Sequence, residues 1–545
     1  MSVQIKILIY FLGGNNMKKN TKKLLAIMLT AMLVVPTLAG CSTSTTDSGE
    51  VSTKVEVSGE TTTGAGSDTS GDISEVEKPE KITIMVNTSL VTKVNGQEAF
   101  KARWEELTGV ELVIIQPDHD AYADVLGQTF ASGIDNWPDA IRLDSNQYSG
   151  YASEGALWDM SAAYEASDIK DRMDNSALMD GFYIDGGLYG FAPARGNGCI
   201  TYIKKNWLDN VGLDVPTNYE EYKAVLKAFT EEDPDGNGIK GDTYAVSSAG
   251  FMYEAAPYTA FLPEFYQDAY PAFYQQENGT WVDGFTEDSM KEALERLKEA
   301  YEAGWIDKET LTNGTSDCRT KFYEEKFGIF TYWAGTWATT LKNNLENNGH
   351  NGELVAIPPM AELGQYMERP ANMWCITLGA KNPEGVFKYL IETMVDGEDM
   401  QLLWTYGVED VHWSTKAGEV AGNTYEEGQF HGLESLEVPG TQYARNHLDP
   451  MLLTIPFKNG DPGEDSIAKE ARNSQTIFNN NSKLAPLPVS TDEMSQYNGD
   501  LMTLKRSIIA DVVTQGVSVE DAMARFDKDG GTSWSQAIVD SLNNK

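Results

Sequence analysis

One short loop of the sequence carries oxygen-bearing side chains at every second position. Asp233, Asp235 and Asn237 alternate, and Gly238 occupies the sixth position of the loop. Side-chain oxygens spaced in this way on a tight turn converge on a hard cation, and the glycine allows the sharp turn. The backbone carbonyl of Ile239, the seventh residue, is a further ligand. The spacing therefore predicts a calcium site.

The same loop then departs from the EF-hand pattern. Its ninth residue is Gly241 and its twelfth is Tyr244, so the bidentate glutamate of an EF-hand is missing. Asp242 at the tenth position is the expected substitute, and water can fill the ninth position. The alternative is an Asp/Asn/Gly turn that holds no metal. Since nothing indicates a second helix to be moved, we expect a stabilising ion and not a switch.

Residues that support catalysis form no recognisable motif. The five histidines include no HExxH pair, and the sequence has neither a GxSxG elbow nor a P-loop. Carboxylates are so numerous that an acidic pair of the glycosidase type stays open as an alternative. Beyond Cys41 the cysteines are Cys199, Cys318 and Cys375, without a CxxC pair. A zinc site is therefore not expected, and one disulfide stays open.

Charge and aromatic content narrow the classes of ligand. A net charge of −40 argues against nucleic acid and against adsorption to an anionic membrane surface. The chain contains 12 tryptophans and 25 tyrosines, and such rings suit stacking against sugars because they offer flat apolar faces with a polar edge. The alternative is that most of these rings belong to the core.

The amino-terminal region has the plan of a secretory signal peptide. After Met17, lysines precede an apolar run over 24–35 that is too short to span a bilayer comfortably. The region ends in Leu38-Ala39-Gly40-Cys41, which resembles the bacterial lipobox, where the cysteine is lipidated and the peptide is cut before it. We expect residues 1–40 to be the signal region, with the true start at Met17, and Cys41 to carry a lipid anchor. The alternative is an ordinary cleavage site.

The segment 41–80 begins with this cysteine, and residues 42–80 are rich in Ser, Thr, Gly, Asp and Glu, with no aromatic residue. Such a segment cannot bury enough apolar surface to offset the entropy of ordering it. It is predicted to be a flexible, acidic tether that holds a folded body off the membrane.

The body that follows alternates strands with helices. Strands are predicted at 81–87, 110–115 and 138–143, and helices at 98–107 and 122–132. This alternation predicts parallel βαβ units, in which ligands lie at the carboxyl ends of the strands. Asp144, Asn146 and Tyr148 follow the third strand and are therefore candidate ligand residues. The alternative is a polar loop that holds no ligand.

Several motifs occur in one order along the body. Asn206-Trp207-Leu208-Asp209-Asn210-Val211-Gly212 is followed by a predicted helix and then by the loop of Asp233. This succession resembles the extracellular solute-binding lipoproteins of family 1, which serve carbohydrate ABC importers. Further matching motifs are Trp137-Pro138-Asp139, Tyr189-Gly190-Phe191-Ala192-Pro193, Gly304-Trp305-Ile306-Asp307, Lys326-Phe327-Gly328-Ile329-Phe330, Asn382-Pro383-Glu384-Gly385-Val386 and the stretch 406–412.

The resemblance implies an α/β fold with two lobes of the periplasmic-binding-protein type, each a sheet flanked by helices and joined by a hinge. The first lobe is expected at 81–198, with a return segment at about 372–415. The second lobe is expected at 199–371, with carboxy-terminal helices at about 416–545. In the resembling proteins, loops such as that of Asp233 hold one structural calcium ion.

The resemblance also implies where the ligand binds. In the family, the turn from strand to helix that matches Trp333 and Trp337 often carries a tryptophan that stacks on the ligand. Trp374 lies near the second crossing between lobes and Trp413 is a further candidate, while Arg195 is expected to hydrogen-bond to hydroxyl groups. Each of these tryptophans has a place in the core as its alternative.

The function expected from the sequence is that of a lipid-anchored extracellular receptor, monomeric and without catalytic activity. It would bind a carbohydrate, an oligosaccharide by preference, between its lobes and deliver it to the permease subunits of an ABC importer. The alternatives are a surface glycan hydrolase, an adhesin or sensor that transports nothing, and a receptor for another polar solute.

Overall fold

The computed structural model of the protein describes most of the chain beyond the tether. The predicted signal region, the lipidation site Cys41 and nearly all of the tether lie outside the described part. That part comprises residues 76–87, 90–118, 121–173, 177–252, 261–437, 442–443, 447–486, 488 and 490–544.

A four-stranded sheet forms the centre of the first lobe. Strand Lys81–Met85 lies in the interior of the sheet and pairs in parallel with Glu111–Ile115 on one side and with Ala140–Leu143 on the other. Strand Met373–Ile376 comes from much later in the chain and adds to Ala140–Leu143 in antiparallel register. Isoleucine occurs in all four strands, and its β-branched side chain packs well on a pleated surface.

Helix Gln97–Thr108 covers this sheet. Phe100 and Trp104 lie one turn apart on its buried face, as the helical spacing in the sequence predicts. Gly109 ends the helix with φ of 65°, a left-handed conformation that glycine adopts without steric cost. Trp104 meets Trp404 edge to face, with ring centroids 6.0 Å apart, so a later segment of the chain closes the same core.

A second four-stranded sheet forms the centre of the second lobe. Strand Cys199–Lys204 pairs in antiparallel register with Leu354–Ala356 and with Phe327–Trp333. Strand Tyr244–Val246 runs parallel to Phe327–Trp333 at the other edge. The sheet is therefore mixed, and strand Phe327–Trp333 delivers its last residue, a tryptophan, to one end of the sheet.

Three carboxy-terminal helices, Asp492–Gln515, Val519–Lys528 and Gly531–Asn543, pack on the second lobe. Helix Asp492–Gln515 lies against helix Asp288–Glu302, and both contribute fully buried residues to one hydrophobic cluster. The amphipathic patterns of these segments, with apolar residues at steps of three and four, place that cluster on their inner faces.

In the described part of the chain, three segments connect the two lobes. The first passes through Gly196 and the second through Arg369, whose backbone N–H donates to the carbonyl oxygen of Asn197 at 3.0 Å. The third lies after residue 446: Leu448 belongs to the core of the first lobe, while Phe478 belongs to a core on the second sheet. The chain beyond residue 416 therefore contributes to both lobes.

The three cysteines that the structure describes are all buried and carry free thiols. Cys199 lies in an interior strand of the second sheet, Cys375 in an edge strand of the first sheet, and Cys318 in helix Thr315–Tyr323. Within the described residues, no helix has the length and apolar character that crossing a membrane requires.

The remaining elements are mostly short. Helices occupy Tyr122–Ala131, Ser145–Ser153, Ser161–Ala166, Ile169–Arg172, Ala177–Asp180, Lys205–Val211, Tyr219–Glu231, Pro263–Tyr266, Thr336–Asn347, Pro383–Val386, Asp399–Tyr406 and Lys469–Asn480, with a π-helical turn at Phe387–Glu392 and 3-10 turns at Ile134–Asn136, Gly284–Thr286 and Glu464–Ser466. Strand pairs are Tyr183–Ile184 with Gly187–Leu188, Phe273–Gln275 with Trp281–Asp283, Tyr366–Glu368 with Ser482–Leu484, Trp413–Ser414 with His431–Gly432, and Gly418–Val420 with Asn423–Tyr425.

Candidate ligand-binding cleft

A cavity of about 420 Å³ lies between the two sheets, beside the segments that connect the lobes. The first lobe contributes Arg142 and Trp374 to its lining, and the second lobe contributes Trp333 and Trp337. A ligand in this cavity would therefore contact both lobes. We refer to it below as the first cavity.

Trp333 and Trp337 meet at the turn that the sequence singled out. Trp333 ends strand Phe327–Trp333, and Trp337 lies in the first turn of helix Thr336–Asn347. Gly335 between them adopts φ of 78°, which lets the chain turn sharply from strand to helix. Both rings are partly exposed and line the first cavity, so the structure brings these two predicted residues together.

Each of these rings also has a guanidinium neighbour. The Arg369 guanidinium lies 4.6 Å from the centroid of the Trp333 ring, and that of Arg319 lies 5.3 Å from the Trp337 ring. Trp337 also meets Tyr332 edge to face at 4.8 Å. Cation–π and edge contacts of this kind hold the rings in defined orientations while leaving ring surface at the cavity.

Trp374 forms the floor of the cavity. It lies directly opposite Arg142 in the antiparallel pair of strands, so both side chains point to the same face of the first sheet. The ring is 1% exposed, and its Nε1–H donates to Nε2 of His447 at 3.1 Å. Trp374 therefore reaches the cavity with an edge, and most of its surface belongs to the core.

His447 is neutral in this environment. Burial lowers its pKa well below the usual value, and the positive charge of Arg142 adds to that shift. Because Nε2 accepts from Trp374, the ring proton resides on Nδ1. Nδ1 is buried and has no hydrogen-bond partner among the described residues. His447, which lines the cavity, thus carries an N–H that no described residue accepts.

Arg142 and Arg369 line the same cavity. Burial, and after it the charge of Arg369, lower the pKa of Arg142 to about 10, so both guanidiniums are positive at neutral pH. Arg369 is held in place by donation from its Nε to the carbonyl oxygen of Gly196. Asp449 is the acidic side chain of this lining, and burial raises its pKa.

Arg195 also lines the cavity, but its guanidinium is engaged. Its Nε lies 3.0 and 3.1 Å from the two carboxylate oxygens of Glu368, and its Nη2 donates to the same carboxylate. The carboxylate accepts a further hydrogen bond from the Gly196 backbone N–H at 3.2 Å. The residue expected to bind hydroxyl groups is therefore placed as part of the hinge.

The structure does not bring Asp144 and Tyr148 to the cavity. Asp144 caps helix Ser145–Ser153, because its carboxylate accepts from the backbone N–H of Gln147 at 2.9 Å. Tyr148 is fully buried in the first lobe, and its hydroxyl donates to the carbonyl oxygen of Phe182. The side chain of Asn146 lies outside what the structure describes.

A second cavity, of about 460 Å³, adjoins the first, and the two share Thr336 and Asp449 in their linings. Trp413 lies in this second cavity. Its ring stacks on Phe430 with centroids 4.6 Å apart, and its Nε1–H donates to the carbonyl oxygen of Gly407 at 3.1 Å. The predicted tryptophans therefore divide between two neighbouring cavities.

The loop of Asp233 folds around the side chain of Asn237. The Asn237 Nδ2 donates to Asp235 at 2.8 Å and to Asp242 at 2.9 Å, while the Gly238 backbone N–H donates to Asp233 at 3.0 Å. The exposed Ile239 donates its backbone N–H to the Asn237 side-chain oxygen at 2.7 Å.

The charges in this loop are crowded. Burial, a hydrogen bond with Asp233 and the charges of Asp233 and Asp242 raise the pKa of Asp235, although a backbone N–H counteracts the shift. Across the described part of the chain, no set of three or more Asp, Glu, His or Cys side chains has an arrangement that would hold a metal ion. The carboxylates of the loop are thus close together but are not arranged as a finished coordination shell.

The family of the chain follows from its sequence. A family model described as bacterial extracellular solute-binding protein matches residues 98–408, which is more than half of the chain. The protein belongs to this family, as the order of the sequence motifs predicted.

The sequence identity to individual relatives is low. Lipoprotein LipO of Bacillus subtilis (strain 168) is 24% identical over 447 residues, which cover 78% of this chain and 85% of LipO. The polygalacturonan/rhamnogalacturonan-binding protein YtcQ of the same organism is 24% identical over 367 residues, covering 64% of this chain and 71% of YtcQ.

Among solved structures, the substrate-binding protein FusA of Streptococcus pneumoniae in complex with kestose matches with a TM-score of 0.58 and 18% identity. The match covers 85% of this chain and 99% of FusA. An EF-hand mutant of FusA in complex with fructo-nystose matches with a TM-score of 0.56 and 17% identity, over 85% of this chain and 99% of that chain. This likeness confirms the predicted fold class, α/β with sheets flanked by helices.

Proposed function

We propose that the protein is the receptor of an ABC importer and binds a carbohydrate, by preference an oligosaccharide, in the cleft between its lobes. The observation that carries this proposal is the pair Trp333 and Trp337, which presents aromatic surface at a cavity also lined by polar donors. Sugars offer apolar ring faces and a rim of hydroxyl groups, so they match stacking surfaces combined with hydrogen-bonding groups. The relative YtcQ, a polygalacturonan/rhamnogalacturonan-binding protein, and FusA in complex with kestose support the same class of ligand.

Binding is coupled to closure of the cleft. Since the lining of the first cavity comes from both lobes, a ligand gains its full set of contacts only when the lobes are close. It therefore shifts the population towards the closed form by its difference in affinity for the two forms. The lobes move at the connecting segments near residues 196, 369 and 447–478, and the closed shape is what the permease subunits recognise.

The surface-hydrolase alternative is weaker. Glycoside hydrolysis uses two carboxyl groups on either side of the scissile bond. Within the described lining of the first cavity the acidic side chain is Asp449, whereas Glu368 is engaged by Arg195. We therefore assign binding without catalysis, and the same chemistry would serve a sensor that transports nothing.

The export signal and the anchor complete the proposal. Residues 1–40 are removed, Cys41 carries the lipid, and residues 42–80 hold a monomeric body at the outer face of the membrane. The lipobox-like tetrapeptide and the name of the relative LipO support this assignment. The body consists of a first lobe at 81–198 with a return that begins at about 372 and extends past the expected end at 415 to at least Ile455, and a second lobe at 199–371 with helices from the last part of the chain.

Calcium is the proposed stabilising ion of the loop at residues 233–242. The side chains of Asp235 and Asp242 both turn towards Asn237, so a small rotation of that amide would present its oxygen and both carboxylates to a cation. Carboxylate, amide and backbone oxygens are the ligands that calcium prefers. The EF-hand of FusA, which the solved mutant alters, supports the assignment.

A thermal-shift screen of the chain from Ser42 onwards, against neutral and acidic mono- and oligosaccharides, tests the receptor function. Binding to the folded state alone adds about 2.7 kcal/mol at a hundredfold excess over Kd. A saccharide-specific rise in melting temperature with the sugar recovered intact supports the receptor. Cleaved sugar would establish the hydrolase, and no shift with any saccharide would contradict the proposal.

A further inference from the structure

The first cavity is rich in hydrogen-bond donors, and the charged ones among those described next are positive. The guanidiniums of Arg142 and Arg369 line it, and His447 adds an N–H that has no partner among the described residues. A guanidinium carries five N–H groups in a planar fork, so it can bind a ligand while keeping contacts with the protein. These donors come from three different parts of the chain and reach one place only in the folded protein.

The other charged groups of the lining do not cancel this character. Arg195 and Glu368 offset each other through their ion pair. Asp449, whose carboxylate accepts from the backbone N–H of Met451 at 2.9 Å, is one acidic side chain in a lining that also contains the guanidiniums of Arg142 and Arg369. The excess of positive charge is local, because the whole chain carries a net charge of −40.

The second cavity is different. Its described lining includes Tyr406, Trp413 and Phe430 together with hydroxyl and amide side chains, and it contains no lysine or arginine. Its acidic side chains are Asp449 and Asp465. Guanidiniums that could bind an anionic group therefore line the first cavity, while the described lining of the second offers aromatic, polar and acidic side chains.

Resting on the proposed receptor function, we propose that the protein selects an acidic oligosaccharide. The carboxylate of one uronic acid residue lies between Arg142 and Arg369 and accepts from Nδ1 of His447. The sugar ring that bears it contacts Trp333 or Trp337. The saccharide continues past Asp449 and Thr336 into the second cavity, where uncharged parts of its rings contact Trp413 and Phe430.

Paired saccharides test this selection directly. Oligogalacturonides, oligomannuronides and glucuronic-acid oligosaccharides of three to four units are each compared with their carboxyl-reduced, neutral forms by calorimetry at low salt. We expect at least one acidic member to bind at least tenfold tighter than its neutral form. The preference should weaken as salt is raised, because screening reduces the attraction between charges.

Variants locate the selection in the first cavity. Arg142→Gln and Arg369→Gln should each remove most of the preference for the acid, while Arg369→Lys keeps part of it because the charge remains. Arg103→Gln is the matched control, since it removes one positive charge from an exposed ion pair with Glu106 on the first lobe. It should bind as the unaltered protein does, and the melting temperature of each variant without ligand shows that it is folded.

The outcomes separate this inference from the receptor function. Equal binding of acidic and neutral forms, or binding of neutral saccharides alone, overturns the selection and leaves the receptor in place. An acid preference that survives both Arg→Gln substitutions also overturns it. Absence of binding by any saccharide overturns the selection together with the receptor function.

Discussion

The guanidinium of Arg195 and the carboxylate of Glu368 face each other across two of the segments that connect the lobes, with Nε 3.0 and 3.1 Å from the two oxygens. Glu368 is almost entirely buried, and its carboxylate also accepts from the Gly196 N–H. The pair therefore fastens the first connecting segment to the second at the point where the lobes must bend. Its charges are satisfied by each other and do not depend on a ligand.

Substituting Glu368→Gln should destabilise the protein. Removing one partner leaves the Arg195 charge uncompensated in a largely buried place, which costs about 3 kcal/mol. We expect the free energy of unfolding in urea to fall by that order. Glu398→Gln is the control, because Glu398 forms an exposed pair with Lys458 and exposed pairs contribute less than about 1 kcal/mol. Equal losses in the two variants would contradict the role of the hinge pair.

Trp337→Ala should weaken saccharide binding at least tenfold while leaving the melting temperature nearly unchanged. The ring is partly exposed at the cavity and its loss removes stacking surface for the ligand, whereas the core below it is made by other residues. Calorimetry on a saccharide that binds the unaltered protein measures the first effect, and thermal unfolding without ligand measures the second.

Trp374→Ala is the informative counterpart. Because the Trp374 ring is 1% exposed and packs in the first core, its loss should lower the free energy of unfolding by about 3 to 5 kcal/mol. For comparison, if Trp337→Ala lost much stability and kept its affinity, the prediction for Trp337 would be wrong and Trp337 would be a core residue.

Removing calcium should lower the melting temperature. A chelator would leave the carboxylates of Asp235 and Asp242 close together without a counter-ion, and their repulsion destabilises the loop. Asp235→Asn should melt lower than the unaltered protein in calcium and respond less to the chelator. Asp288→Asn is the control, because Asp288 forms an exposed ion pair with Lys291 far from the loop in sequence. This variant should show the full decrease in melting temperature on chelation. A melting temperature unaffected by chelation would contradict the calcium assignment.

His447 should make stability depend on pH in one direction. Its folded pKa lies well below its unfolded value of about 6.5, so below that pH the unfolded state binds a proton that the folded state does not. Its contribution is therefore fully present above pH 6.5 and is lost as pH falls, by about 1.4 kcal/mol per pH unit.

The matched comparison is with His447→Gln. The unaltered protein and the variant are unfolded in urea at pH 7.5, 6.5 and 5.5, and the difference between their free energies of unfolding is followed. The advantage of the unaltered protein should shrink on going to pH 5.5. A difference that is constant with pH would show that His447 titrates alike in both states.

The sequence predicted the fold well where local pattern and chain order agree. The alternation of strands and helices over 81–143 is present, with boundaries shifted by one or two residues. Trp333 and Trp337 were found because they are neighbours in one turn, so a local motif contains both. Arg142, Arg369 and His447 were not found, because they are far apart in the chain and only folding brings them together.

The residues after the third strand, Asp144 and Tyr148, were predicted to bind ligand but have structural roles in a helix. The end of a parallel strand is a common ligand position, but here helix Ser145–Ser153 begins at once. Its free N–H groups use the carboxylate of Asp144 as a cap, and its inner face carries Tyr148 into the core. The sequence did contain one signal for the cavity that the prediction did not use. Arg142 is a charged residue within an otherwise apolar strand, and such a residue often lines a binding site.

The three buried thiols allow local opening of the structure to be measured by chemical modification. Burial raises the pKa of Cys318 to about 11 and that of Cys375 well above its usual range, so neither is a reactive thiolate in the closed fold. Oxidants outside the cell and alkylating reagents can reach them only while the structure around them is open. The rate at which Cys375 is modified therefore measures opening of the first lobe, because it lies in the sheet of that lobe. The rate for Cys318 measures opening of the second lobe, because it lies in a helix there.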